Sequence, residues 1–157
     1  MAYTAMKEAH TMGLSAMPSL HAQEAAAQSY GIGAVLVDSS GKAAIAASDP
    51  TLGTILGVAR TAATGVTDTD VILTPALPGV VFEANLDDST GTLVSAITHL
   101  WGRFGLTLSG GVFYIDSTDT TNIRVVVVGF KDAIGTVNAR VYCTFLPNAT
   151  RLSVTAA

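Results

Sequence analysis

The sequence is short of charge, of cysteine and of aromatic residues, and each shortage removes a class of protein. Asp, Glu, Lys and Arg make up 13% of the 157 residues, against about 25% in an average soluble domain. Eight Lys and Arg stand against twelve Asp and Glu, a net charge of −4, and the basic residues are scattered, so the electrostatic footprint of direct nucleic-acid binding is missing. The single cysteine, Cys143, cannot close an internal disulfide. It falls on the apolar face of an expected strand, with no histidine near it in sequence, where a buried structural thiol is expected. Aromatic residues make up 6%, with one Trp, too few for the exposed ring row of a β-barrel carbohydrate-binding module. Mean hydropathy is positive, yet no run approaches the roughly 18 apolar residues of a membrane span. Lys7, Glu8 and His10 interrupt the apolar core that an export signal needs. The apolar surplus is therefore expected to meet other protein, as in an oligomer or an assembly component.

Catalytic signatures are also missing. Gly31-Ile-Gly33 is too short for a dinucleotide fingerprint and opens a strand. Neither a GxSxG elbow nor an HExxH pair occurs, and His10, His21 and His99 lie far apart in the sequence. Asp68 and Asp70, and Asp116 and Asp119, sit in Thr-rich loops without calcium-loop spacing, so side-chain capping of turns accounts for them. Asp87 and Asp88 are adjacent in an extended segment and are expected to point apart. No enzymatic activity, cofactor or metal is expected.

What is present is a series of short strands. The stretch Ile123–Leu146, IRVVVVGFKDAIGTVNARVYCTFL, reads as a hairpin. Its first half, to Phe130, is a nearly unbroken β-branched run expected to be a central strand covered on both faces. From Val137 to Phe145 the pattern alternates, with Val137, Ala139, Val141, Cys143 and Phe145 inward. Further strands are expected at 33–37 and 42–47 about Asp38-Ser-Ser-Gly41, at 54–59, at 71–74 and 80–85 about the Pro75 to Gly79 corner, at 104–108 and 112–115, and at 152–155. Leu93, Ile97 and Leu100 or Trp101 recur at helical spacing, which predicts one helix over 92–101. Residues 1–30, rich in Met and Ala and without period two, read either as an arm that is loose alone and orders against a neighbour or as a disordered tail with no role. The expected fold is all-β, a small antiparallel barrel or sandwich over 31–157 with one short helix and an extended N-terminal arm over 1–30.

The order of Thr54-Ile-Leu-Gly-Val-Ala59, Pro78-Gly-Val-Val-Phe-Glu-Ala-Asn85, Arg103-Phe-Gly-Leu-Thr-Leu108, Tyr114-Ile-Asp-Ser-Thr-Asp-Thr-Thr121, Val126-Val-Val-Gly-Phe130 and Val141-Tyr-Cys-Thr-Phe-Leu-Pro147 resembles the head decoration, or capsid cement, proteins of tailed bacteriophages, over 32–157. The resemblance implies a small barrel made in the host cytoplasm that attaches to the outside of the mature head as a dimer or trimer. There it bridges major capsid protein subunits, without contact to nucleic acid or membrane. Another structural virion component, in the minor head or the tail, is the alternative. Anatomy places contacts in the arm, at Tyr3, Leu14, Met17, Leu20 and Tyr30, and on loops, at Arg60 and Arg103. Deletion of 1–28 is then expected to weaken attachment and leave the barrel folded.

Overall fold

A computed structural model of the chain describes residues 3–11 and 16–152. Among these, eleven strands run in chain order: β1 (Lys7–Thr11), β2 (Leu20–Gln23), β3 (Val35–Ser39), β4 (Lys42–Ile45), β5 (Ile55–Ala59), β6 (Asp70–Pro75), β7 (Val80–Asp87), β8 (Arg103–Ser109), β9 (Val112–Asp116), β10 (Val125–Phe130) and β11 (Arg140–Phe145). They form two sheets over one core, in which Phe82, Phe113, Leu36, Ile55, Leu73, Leu106 and Met6 are buried. The first sheet closes into a barrel, β7-β11-β10-β8-β9, sealed by a short parallel pairing of Leu86 with Ile115 and Asp87 with Asp116. Closure removes the free edges of those strands. β1 is added on β7, with Lys7 opposite Glu83 and Thr11 opposite Val80.

The second sheet, β2-β6-β5-β3-β4, curls until Glu24 bridges Ala43. Its β3–β4 turn and the β8–β9 turn of the barrel are both two-residue loops. Ser40 and Gly41 have φ of 54° and 84°, and Gly110 and Gly111 of 59° and 82°, the mirror-image turn that matches strand twist. The sheets are joined where the Asp49 N–H donates to the Leu106 carbonyl at 2.8 Å and where Ile55 bridges Thr150. There the buried Arg124 guanidinium also donates to the Pro50 carbonyl.

β7 organises the molecule. All eight of its residues are buried. Along it Phe82, Ala84 and Leu86 enter the core while Glu83, Asn85 and Asp87 face outward, the alternation of a strand with two chemically different faces. One edge carries β1 and then β9, and the other carries β11.

Four expectations need correction. The strand covered on both faces is β7. β10 buries Val125 and Val127 on one face and leaves Val126 and Val128 half-buried on the other. Residues 92–101 form no α-helix: the segment runs beside 133–138 and makes only the 3-10 turn Ile97–His99. Thr92, Val94, Ile97 and Thr98 are β-branched, and Gly91 and Gly102 bound the segment, which disfavours helix relative to cross-strand bonding. Val137 is exposed, because Asn138 takes φ of 51° and breaks the inward alternation one residue before the buried Ala139. Finally, the described residues before 31 pack against the chain's own sheets through β1, β2 and the fully buried Met6. Gly33 at φ of 90° lets that segment pass close, since a Cβ there would lie 2.5 Å from the Met6 carbonyl oxygen. The strand expected at 152–155 lies outside the described residues after Leu152.

Candidate interaction surface

The outward face of β7 is a row of three buried polar side chains, and each fastens a different segment. Glu83 accepts a hydrogen bond from Lys131 Nζ at 2.6 Å and is ion-paired with Arg140 Nε at 2.8 Å and Lys7 Nζ at 3.8 Å, so one carboxylate ties β1, β11 and the turn after β10. Asn85 accepts the Thr4 N–H at 2.8 Å and donates to the Asn138 carbonyl at 2.9 Å. Asp87 accepts the Tyr3 hydroxyl at 2.5 Å and the Gly91 N–H at 3.1 Å. Tyr3 also stacks on Tyr114 with ring centroids 4.6 Å apart. Burial, then the hydrogen bond to the Asp87 carboxylate, pushes the Tyr3 phenol pKa upward. A second internal fastener is Glu24, fully buried, which takes the Thr64 N–H at 2.8 Å, the Thr64 hydroxyl at 2.9 Å and the Gly65 N–H at 2.7 Å. Burial works against its charge, but those bonds outweigh it and hold the pKa below the ordinary value.

A different surface lies on the loop pair 93–101 and 133–138. The Ser95 N–H donates to the Thr136 carbonyl, the Gly135 N–H to the Ser95 carbonyl and the Asn138 N–H to the Leu93 carbonyl, at 2.8 to 2.9 Å, and Val94 bridges Val137. This short ribbon carries Val94, Ile97, Trp101, Ile134 and Val137, five of the eight large apolar side chains exposed among the described residues. That share concentrates the exposed apolar surface on one feature, whereas singly scattered exposed residues would need no explanation. No Asp, Glu, Lys or Arg occurs in 89–102 or 133–139. Trp101 is 67% exposed and holds a left-handed backbone, φ of 64°, while its N–H is bonded to the Val127 carbonyl. An aromatic side chain in that conformation is backbone strain held by its surroundings.

The residues expected to make contacts do not gather in one place. Tyr3 turns inward to Asp87, Tyr30 is buried, and Met17 and Leu20 pack against the core. Leu14 lies outside the described residues. Arg60 is exposed and lies 3.7 Å from Glu8. Arg103 is exposed beside the ribbon, two residues after Trp101, and its guanidinium meets no carboxylate among the described residues. The five ribbon residues are not legible as a surface, because Ile97 and Trp101 sit at helical spacing, Ile134 falls in a turn and Val137 continues the inward alternation of the strand that follows it. The signal for them was the long uncharged interval between Asp88 and Arg103.

Two open clefts, of about 410 Å³ at Gln28, Tyr30 and Thr64 and about 360 Å³ at Asp38, Asp49 and Thr54, border the second sheet. Among the described residues no three His, Cys, Asp or Glu side chains gather in a metal-ligating group. Cys143 is buried, and burial pushes its thiol pKa up to about 12. Asp116 and Asp119 accept N–H groups of Thr118, Thr121 and Asn122, the turn-capping role expected of them. Compared with known proteins, the chain matches no family model, no curated protein and no solved structure.

Proposed function

We propose that this protein is a structural component of a tailed-phage particle that decorates the outer surface of the mature head and bridges neighbouring major capsid protein subunits. It acts by adhesion, without turnover. The observation that carries the reading is the uncharged ribbon with Val94, Ile97, Trp101, Ile134 and Val137 in solvent. Apolar and aromatic side chains of this kind are the usual anchors of a protein interface. The closed barrel behind them gives the ribbon a rigid base, which lowers the entropy cost of docking. The sequence resemblance supplies the identity of the partner, and the low charge content agrees with a surface made to be covered. A packaged head is under outward stress, and a ligand that binds the expanded lattice but not the compact precursor stabilises the former by linkage.

The test is co-sedimentation of the purified chain with expanded heads that lack it and with compact precursor shells. Saturable attachment to expanded heads is expected, and Trp101→Ala is expected to weaken it by about tenfold or more, the usual size of an aromatic anchor's contribution. Absence of attachment, or attachment indifferent to Trp101, would overturn the reading.

A further inference from the structure

The second sheet meets the barrel at Asp49, and a second carboxyl group meets Asp49 there. The Asp49 backbone, at φ of 49°, donates its N–H to the Leu106 carbonyl at 2.8 Å, and its side chain accepts the Leu106 N–H at 3.2 Å. One residue between β4 and β5 thus grips β8 in both directions. Asp119, in the loop after β9, accepts the N–H groups of Thr121 and Asn122 at 3.0 and 2.8 Å, and its own carbonyl takes the Gly105 N–H at 2.8 Å. The two side chains converge over Gly105, where a Cβ would lie 2.8 Å from Asp49 Oδ1 and closer still to Asp119 Oδ2. Their carboxyl groups are hydrogen-bonded to each other. Because an ionised carboxylate can only accept, that bond exists only while one of the two carries a proton.

We propose that Asp49 and Asp119 form a proton-operated latch between the second sheet and the barrel, closed when the pair holds one proton and weakened when both groups are ionised. Asp119 and Arg124 are the charged groups that face Asp49 among the described residues, and β8 presents the Leu106 N–H to it. Arg124 favours the ionised form, but its guanidinium is shared among the carbonyls of Pro50, Ile123 and Asp49. Asp38 lines the same cleft and is paired with Arg151 at 3.2 Å. Burial, then the charge of Asp119, raises the Asp49 pKa. Burial works against the charge of Asp119 too, but the N–H groups of Asn122 and Thr121 outweigh it and hold that pKa below the ordinary value. The proton therefore rests on Asp49 and the charge on Asp119. The raised group contributes stability that is complete below the unfolded value, about 4, and is lost as pH rises through the folded one. The lowered group contributes stability above that same unfolded value, lost as pH falls through the folded one. The latch is thus tightest in mildly acidic solution and looser once both groups ionise. The open cleft of about 360 Å³ that Asp49 lines lets the proton exchange with solvent while the fold stays closed.

Asp49→Asn and Asp119→Asn test this in the whole chain. Asparagine tolerates the left-handed backbone at position 49, and its amide supplies at every pH the hydrogen that the carboxyl group holds only when protonated. The melting temperature of Asp49→Asn relative to the unaltered protein is expected to climb by about 3 °C between about pH 4.5 and about pH 7.5. Carbon-13 NMR titration of the side-chain carboxyl groups is expected to give Asp49 a higher midpoint than Asp119, and Asp119→Asn is expected to lower the Asp49 midpoint. Side chains that served only as spacers at the seam would leave that midpoint where it was. A melting difference that stays constant with pH, or an Asp49 midpoint indifferent to Asp119→Asn, defeats the proposal. Both readouts are made on the free protein, so they stand or fall apart from attachment to heads.

Discussion

The outward face of β7 and the 93–101/133–138 ribbon lie close together, joined at Asn138, yet they are built on opposite principles. On β7 the outward side chains are polar, buried and satisfied, and each holds another segment of the same chain. On the ribbon they are apolar and exposed, with no segment of the described chain over them. Buried charge with good partners fixes geometry and is costly to break, whereas exposed apolar surface contributes little to folding and is available to a partner. The contrast teaches where to expect each kind of consequence: changes on β7 should cost stability, and changes on the ribbon should cost binding.

The severest break is deletion of residues 1–28. Because it removes β1, β2, Met6 and the Glu24 fastener, it is expected to cost more than about 5 kcal/mol, comparable with the whole stability of a domain. Circular dichroism should find no cooperative transition. A truncated chain with native strand content would show the two sheets to be independent of that segment. Next is Glu83→Ala, which leaves the Arg140 side chain, 13% exposed, and Lys131 without their shared carboxylate. The expected loss is about 3 kcal/mol, at the lower limit for a broken buried pair because the lysines reach water, and urea denaturation measures it. Tyr3→Phe removes one of the hydrogen bonds to Asp87 and should cost about 1–2 kcal/mol.

The pH dependence sharpens the same side of the comparison. The Tyr3 phenol is raised by burial and by Asp87, and burial, then the charge of Glu24, pushes the Tyr30 phenol up to about 12. A folded-state pKa above the unfolded one contributes stability that is complete below the unfolded value, about 10 for tyrosine, and is lost as pH rises through the folded value. Burial raises the Cys143 thiol in the same direction, so stability should be flat through neutrality and fall above pH of about 8.5, first through that thiol and then, above about 10, through the tyrosines, with a shallower limb above about 10 in Tyr3→Phe, as alkaline denaturation would record. The smallest effect belongs to the ribbon: Ile134→Ser and Trp101→Ala should change folding stability by no more than about 0.5 kcal/mol. A larger loss for either would mean that the ribbon is part of the fold's internal support.

Most strands were legible because period two and turn residues are local signals. Turns fall where Asp38-Ser-Ser-Gly41 and Ser109-Gly110-Gly111 mark them, but the first is a two-residue loop, Ser40-Gly41, where a four-residue loop is expected from sequence, because Asp38 and Ser39 stay in the ladder. Phe82-Glu83-Ala84-Asn85-Leu86-Asp87 also alternates in plain view, but alternation alone says that the second face is polar, not that Tyr3, Thr4 and Lys131 will come from remote parts of the chain to cover it. The N-terminal segment looked unattached for the same reason. Its hydrogen-bonding partners, Asn85 and Asp87, are more than eighty residues away. At Leu93, Ile97 and Trp101 the spacing fitted a helix, and only the pairing with Thr136 and Asn138 decides for a ribbon. Of the described residues named as contacts from sequence, Arg103 alone lies beside the exposed apolar strip.

Amide hydrogen exchange on the free and the head-bound protein addresses the contrast most directly. Binding is expected to slow exchange over 93–101 and 133–138 and to leave β7 unchanged, since its amides are already protected by β1, β9 and β11. Protection that appears instead across the second sheet, with the ribbon still exchanging as in the free protein, would contradict the account.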